Sequence, residues 1–185
     1  MWIALREEPL SPESPHFDLA MGFETSERID LRELATGRLV TIAIEPRWKD
    51  YDAVPASSMA QTLREFDTTH WGLVAAFDGL TRVGGAIIAF DTPGFDLLEG
   101  RRDITTLLDI RVAPATRGMG VGRQLFRAVE HWSRNRGARF LTIETQDINV
   151  GACRFYHAMG CTVRSTNPTA YPGLDEAQII WQREL

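Results

Sequence analysis

The sequence predicts a mixed α/β fold in which sheet strands are flanked by helices, and three observations lead there. Two apolar runs, Trp71–Phe77 and Val83–Phe90, flank a polar turn that includes Asp78-Gly79, the signature of an antiparallel hairpin. A glycine-rich stretch, Gly118-Met119-Gly120-Val121-Gly122, separates a strand pattern from a helix pattern. From there the chain alternates strand, helix, strand, helix and closes on two strands.

Taken in order, the first forty residues carry the weakest signals. Leu10 to His16 is turn chemistry, and Phe17 to Gly37 has little periodicity. Arg38–Glu45 alternates β-branched residues and reads as a strand ended by Pro46. Ser57 or Ser58 can cap a helix with Met59, Leu63 and Phe66 on one face. The hairpin follows, then a loop from Asp91 to Asp103. Thr105–Val112 is a strand stopped by Pro114. Over Val121–Asn135 the residues Val121, Leu125, Ala128, Val129 and Trp132 fall at helical spacing, with Gly137 as the stop, giving a helix of about four turns. Arg139–Thr145 is a strand. A helix starts at Asn149 or its neighbours and runs through Phe155 and Tyr156 to Met159, where Gly160 ends it. Cys161–Ser165 and Ala177–Arg183 are the last strands, joined by a connection that includes Tyr171-Pro172-Gly173. No repeat or break in composition divides the chain, so residues 1–185 are expected to form a single domain.

Composition removes several functional classes. A net charge of −5 and a pI near 5.4 disfavour nucleic acid, which requires a basic surface, and suit a cationic substrate. Charge appears after five residues, too early for the apolar core of a signal peptide, and no apolar run reaches the roughly 18 residues needed to cross a bilayer. A cytoplasmic, membrane-free protein is expected. Cys153 and Cys161 lack a metal-ligand pattern and read as reduced, inert thiols, so no metal is expected.

The glycine stretch offers chemistry. Glycines between a strand and a helix let backbone approach a ligand and free N–H groups to point at it, and the helix adds its unpaired donors and positive dipole end. Arg117 and Arg123 add positive charge on either side, so a pyrophosphate is the natural guest. The P-loop pattern fails because Gly122 is followed by Arg123-Gln124. The dinucleotide fingerprint fails because Gly118 and Gly120 would require glycine at 123. Glu144, on the following strand, is the one feature that keeps a ribose-binding reading open.

Leu108-Asp109-Ile110-Arg111-Val112-Ala113-Pro114 followed by Arg117-Gly118-Met119-Gly120-Val121-Gly122 resembles the Arg/Gln-x-x-Gly-x-Gly/Ala motif of the GNAT N-acetyltransferases. The similarity continues through Glu144 to Asn149 and Ala152 to Gly160, over roughly residues 72–185. The resemblance implies a mostly antiparallel central sheet, splayed at a site for acetyl-CoA and flanked by helices. Residues 105–160 would then be the cofactor-binding core and residues 1–70 the acceptor side. It implies that backbone at Ile110, Arg111 and Val112 meets the pantetheine arm. The Arg117, Gly118, Met119, Gly120, Val121, Gly122 and Arg123 segment would cradle the pyrophosphate, and Asn149 would meet the pantetheine region. Tyr156 would lie near the sulfur and protonate the leaving thiolate, a sensible task for a phenol of pKa about 10.

An amine can attack a thioester directly, so positioning carries much of the catalysis and a general base completes it. Asp109 and Glu144 are the carboxylate candidates. Cys153 as a nucleophile lacks an activating histidine, since His157 can equally face solvent. Glu144–Val150, Ala152–Tyr156 and Ala170–Gly173 resemble the streptothricin acetyltransferase branch, which implies a small polycationic antibiotic as acceptor. A peptide or protein acetyltransferase and a non-catalytic acetyl-CoA-binding module are the alternatives. Five tryptophans supply material for an apolar contact between copies, and a homodimer is expected.

Overall fold

A computed structural model describes residues 2–54 and 58–185. In chain order its elements are β1 (Ile3–Glu8), β2 (Phe23–Ile29), α1 (Leu31–Leu34), β3 (Thr41–Lys49), α2 (Met59–Glu65), β4 (Gly72–Asp78), β5 (Thr81–Phe90), β6 (Ile104–Val112), α3 (Val121–Asn135), β7 (Phe140–Gln146), α4 (Val150–Ala158), β8 (Thr162–Asn167) and β9 (Gln178–Glu184). The chain is a mixed α/β structure. It divides into two compact units, one of residues 1–21, 50–141 and 185, the other of residues 22–49 and 142–184.

In the first unit the strands run in the order β1-β4-β5-β6, each antiparallel to the next. The β4–β5 hairpin turns at Gly79, whose φ of +59° is the left-handed conformation that the Asp78-Gly79 signal anticipates. Both faces of β5 are covered, which is why Val83 to Ala89 is buried without alternation. On one face α3 lays down Val121, Leu125, Phe126, Val129 and Trp132. A Cβ at Gly72 would sit 2.6 Å from the Trp132 indole, and one at Gly84 would sit 2.9 Å from Leu125, so glycine at these positions lets the helix approach the sheet. On the other face Leu63, Trp71, Leu73, Ile87, Ala89, Leu98 and Ile104 form the core. Burial of such side chains contributes about 1.5–3 kcal/mol each. α2 is capped by Ser58, whose hydroxyl accepts from the Gln61 N–H at 3.3 Å; the alternative cap, Ser57, lies outside the described residues.

In the second unit β7, β9 and β8 are neighbours in that order, while β2 and β3 pair as a separate antiparallel ribbon. The strand expected over residues 38–45 is shifted: β3 begins at Thr41 and continues through Pro46 to Lys49. Pro46 is tolerated because the β2–β3 register slips between Thr25 and Glu27, opposite the stretch where the missing N–H falls. Asn149 caps α4, its Oδ1 accepting from the Ala152 N–H at 3.1 Å. Asp147 joins the ribbon to the rest of this unit. Its carbonyl accepts from the Ile29 N–H, its carboxylate accepts from Arg28 and from the Ala177 N–H, and its own N–H donates to the Ala177 carbonyl. No helix among the described residues is long and apolar enough to cross a membrane.

Candidate functional site

β6 ends at Val112, and Pro114 opens a single 3-10 turn through Thr116 that redirects the chain. Gly118 and Gly120 follow with φ of +76° and +87°, a region that a side chain rarely adopts. Gly122 lies within α3 and has no such requirement. The first α-helical bond donates from Gln124 N–H to the Gly120 carbonyl at 3.1 Å, so the N–H groups of Val121, Gly122 and Arg123 precede the helical ladder. Gly120 is the N-cap and supplies no side-chain acceptor. Nothing lies within 4 Å of where a Cβ would stand on Gly118 or Gly120. An exposed loop with donors at a helix N-terminus, buried Val121 as its anchor and open space above its glycines is a preformed anion cradle. The Arg117 guanidinium folds back beside it, donating to the Val112 carbonyl at 3.2 Å and the Ala20 carbonyl at 3.4 Å, while Arg123 is exposed on the first turn.

The register of β6 separates its backbone from its side chains. Ala113 N–H donates to the Val83 carbonyl, and antiparallel alternation then turns the N–H and C=O of Ile110 and Val112 away from β5.

The side chains of Asp109 and Arg111 occupy the face opposite α3, and both are fully committed there. Asp109 accepts from His16 Nε2 at 2.9 Å and from Arg111 at 2.9–3.0 Å. Arg111 also donates to both oxygens of Asp52, at 2.7 and 2.9 Å, and to the Leu19 carbonyl at 2.9 Å. Burial alone would raise the Asp109 carboxyl, but the hydrogen bond and charge of His16 and the guanidinium of Arg111 outweigh it and hold the group below its ordinary range. Burial likewise disfavours the Arg111 cation, and Asp109 and Asp52 reverse that, so its pKa is raised. Gly85 lies beneath the His16 ring, and a Cβ there would stand 2.4 Å from Nδ1. A carboxylate this buried, with a lowered pKa and its lone pairs taken, is a poor proton acceptor. Asp109 is therefore a structural anion, and the Arg111 side chain is taken up within the same cluster.

In the second unit Glu144 is half-buried on β7 and accepts a 2.6 Å hydrogen bond from the Tyr171 hydroxyl. Asn149 serves as the cap of α4, whose second turn carries Tyr156. That residue is buried between Phe155 and Trp181, with ring centroids 5.4 and 6.4 Å away. Cys153 is buried beside Thr145, and desolvation pushes its thiol up to about 12, so it is no nucleophile at neutral pH. His157 is exposed. The sequence did not point to His16 or Asp52, which meet β6 across 93 and 59 residues and belong to no motif.

Residues 38–161 match the model of the acetyltransferase (GNAT) family. A streptothricin acetyltransferase of Streptomyces lavendulae is 38% identical over 68 residues, 37% of this chain and 36% of that protein. Streptothricin acetyltransferase A of Bacillus subtilis (strain 168) is 36% identical over 76 residues, 40% of this chain and 44% of that protein. The chain thus spans less than half the length of either relative. A protein of Bacillus anthracis str. Ames described as a streptothricin acetyltransferase, solved in complex with acetyl coenzyme A, superposes with a TM-score of 0.74 at 18% identity, covering 100% of this chain and 98% of that one. That likeness is one of fold.

Proposed function

We propose that this chain, which belongs to the acetyltransferase (GNAT) family, transfers the acetyl group of acetyl-CoA to a primary amine of a small cationic acceptor of the streptothricin type. The observation that carries this reading is the anion cradle at Gly118–Gly122. Two left-handed glycines, uncapped helix donors and adjacent arginines fit a pyrophosphate, and the outward backbone of Ile110 and Val112 fits a pantetheine arm. The acceptor class rests on the two streptothricin-acetylating relatives and on the acidic balance of the chain, which attracts polycations.

Bound acetyl-CoA supplies an activated acetyl group as its thioester. The neutral amine nitrogen forms the new C–N bond as the C–S bond breaks; the amine loses one proton and the departing sulfur gains one. Tyr156 is assigned the proton delivered to sulfur. Its phenol is buried in an aromatic setting that excludes water. Glu144 is assigned the proton leaving the amine, directly or through water, with the Tyr171 hydroxyl fixing the orientation of its carboxylate. Asp109, the other carboxylate candidate, is left to the structural cluster described above.

A thiol-release assay with acetyl-CoA against streptothricin, aminoglycosides, polyamines and peptides tests the reading. Turnover is expected with streptothricin, and Tyr156→Phe should lower kcat by roughly 10²-fold. Preferred turnover of peptides would replace the acceptor class. Binding of acetyl-CoA without turnover of any amine would make the chain a cofactor-binding module, and unchanged turnover by Tyr156→Phe at every pH would remove the assigned acid.

A further inference from the structure

The β2–β3 ribbon of the second unit carries an aromatic residue and a carboxylate in direct register. Trp48 on β3 stands opposite Glu24 on β2, so the two side chains share a face, with Cβ atoms about 4.5–5.5 Å apart. Trp48 is 67% exposed, yet it is held: a Cβ on Gly22 would lie 2.2 Å from its Cζ2, so the edge of the indole rests where only a glycine leaves room. Glu24 is exposed and forms no ion pair among the described residues. The cations that alternate with Trp48 along β3 point elsewhere. Lys49 Nζ lies 2.8 Å from Glu176, and Arg47 lies 3.9 Å from the same carboxylate.

The ribbon is also anchored. Thr25 Oγ1 donates to the Ile148 carbonyl at 3.1 Å, Ile29 N–H donates to the Asp147 carbonyl at 2.9 Å, and Arg28 pairs with Asp147. Residues 147 and 148 lead directly into Asn149, the cap of the helix that carries Tyr156. An indole held by its edge, with a free carboxylate beside it, satisfies an alkylammonium twice, through the ring face and through the ion pair. An apolar ligand would gain nothing from Glu24, and an anion would be repelled by it.

We propose that Trp48 and Glu24 form a recognition subsite for a second ammonium group of the acceptor, one that is bound and not acetylated. This deepens the function proposed above by making a polycation, rather than a simple amine, the preferred acceptor.

The test uses the full chain and two readouts: equilibrium binding of streptothricin by calorimetry, and steady-state acetylation of streptothricin compared with n-butylamine. Trp48→Ala and Glu24→Gln should each weaken streptothricin binding and raise its KM about three- to fivefold, and the double variant about tenfold. The value of kcat, the affinity for acetyl-CoA and the KM for n-butylamine should stay unchanged. Trp48→Phe, which keeps an aromatic face, should recover most of the affinity and guards against a folding artefact. Streptothricin affinity within 1.5-fold of wild type in the double variant, or no binding to wild type, overturns the subsite. Normal, variant-sensitive binding without turnover overturns the transfer reaction and leaves the subsite standing.

Discussion

Replacing Asp109 with asparagine separates a structural anion from a catalytic base. The substitution keeps the shape of the side chain but turns an amide NH₂ toward the donors of Arg111 or His16, and it leaves a buried guanidinium short of one carboxylate. Removing one partner of a buried ion pair costs about 3–5 kcal/mol. Asp52 still holds Arg111 through two hydrogen bonds, so the lower end, about 3 kcal/mol, is expected. For a chain of this length that lowers Tm by roughly 6–12 °C. The pH dependence has a defined sign. Because the folded-state pKa of Asp109 is depressed, its contribution is present above the ordinary carboxylate value near 4 and is lost as pH falls through the lower folded value. Thermal melts and urea titrations from pH 7 down to pH 3 should show a constant gap between wild type and variant near neutrality that narrows below about pH 4. The kcat of the folded variant should stay within a few-fold of wild type. A Tm within 2 °C of wild type together with a kcat loss of about 10³-fold would refute the structural assignment and return Asp109 to the chemistry.

Gly120→Val forces a β-branched residue to φ near +87° at the start of α3. It should abolish the protection that acetyl-CoA gives against heat, worth about 2.7 kcal/mol at 100 times Kd, and retained protection would remove the cradle assignment. Cys153, with its thiol pushed up to about 12, should resist iodoacetamide at pH 8 in a folded Cys161→Ser background and react once urea is added. Labelling of the folded protein at the rate of a free thiol would show that the pocket around Thr145 is open.

The elements legible in the sequence are those whose two sides differ. α3 is legible to the residue because its apolar positions recur at 3.6-residue spacing against one sheet face and glycines bracket it. The β4–β5 hairpin is equally plain, since Gly79 meets a backbone demand that few residues satisfy. β1 and β2 carry no such signal. β1 is the edge strand of its sheet and exposes Ala4-Leu5-Arg6-Glu7 in part or in full, while β2 buries only Thr25 and Ile29 among charged residues. A strand that rests on ion pairs and a partner strand rather than on a core has no periodicity to betray it. Pro46 misleads for a related reason: the rule that proline ends a strand assumes regular pairing, and β3 is irregular where Pro46 falls.

The candidate site divides along the same line, with consequences for what its residues do. Glycines chosen for positive φ leave a local mark, so the spacing of Gly118 and Gly120 is enough to point to an anion. Ion-pair partners leave none, because a carboxylate finds its cation through the fold and not through spacing. Asp109 and Glu144 therefore look equivalent as bases on neighbouring strand patterns. They differ in what the fold brings to them. Asp109 receives His16 from a turn near the N-terminus and Arg111 from two positions along its own strand, which keep it ionised and occupied. Glu144 receives one neutral hydroxyl, from Tyr171, and stays half-open to solvent. A general base needs a lone pair to offer and a proton affinity to match its task. Of the two carboxylates only Glu144 retains the first, and so the proton leaving the amine is assigned to it.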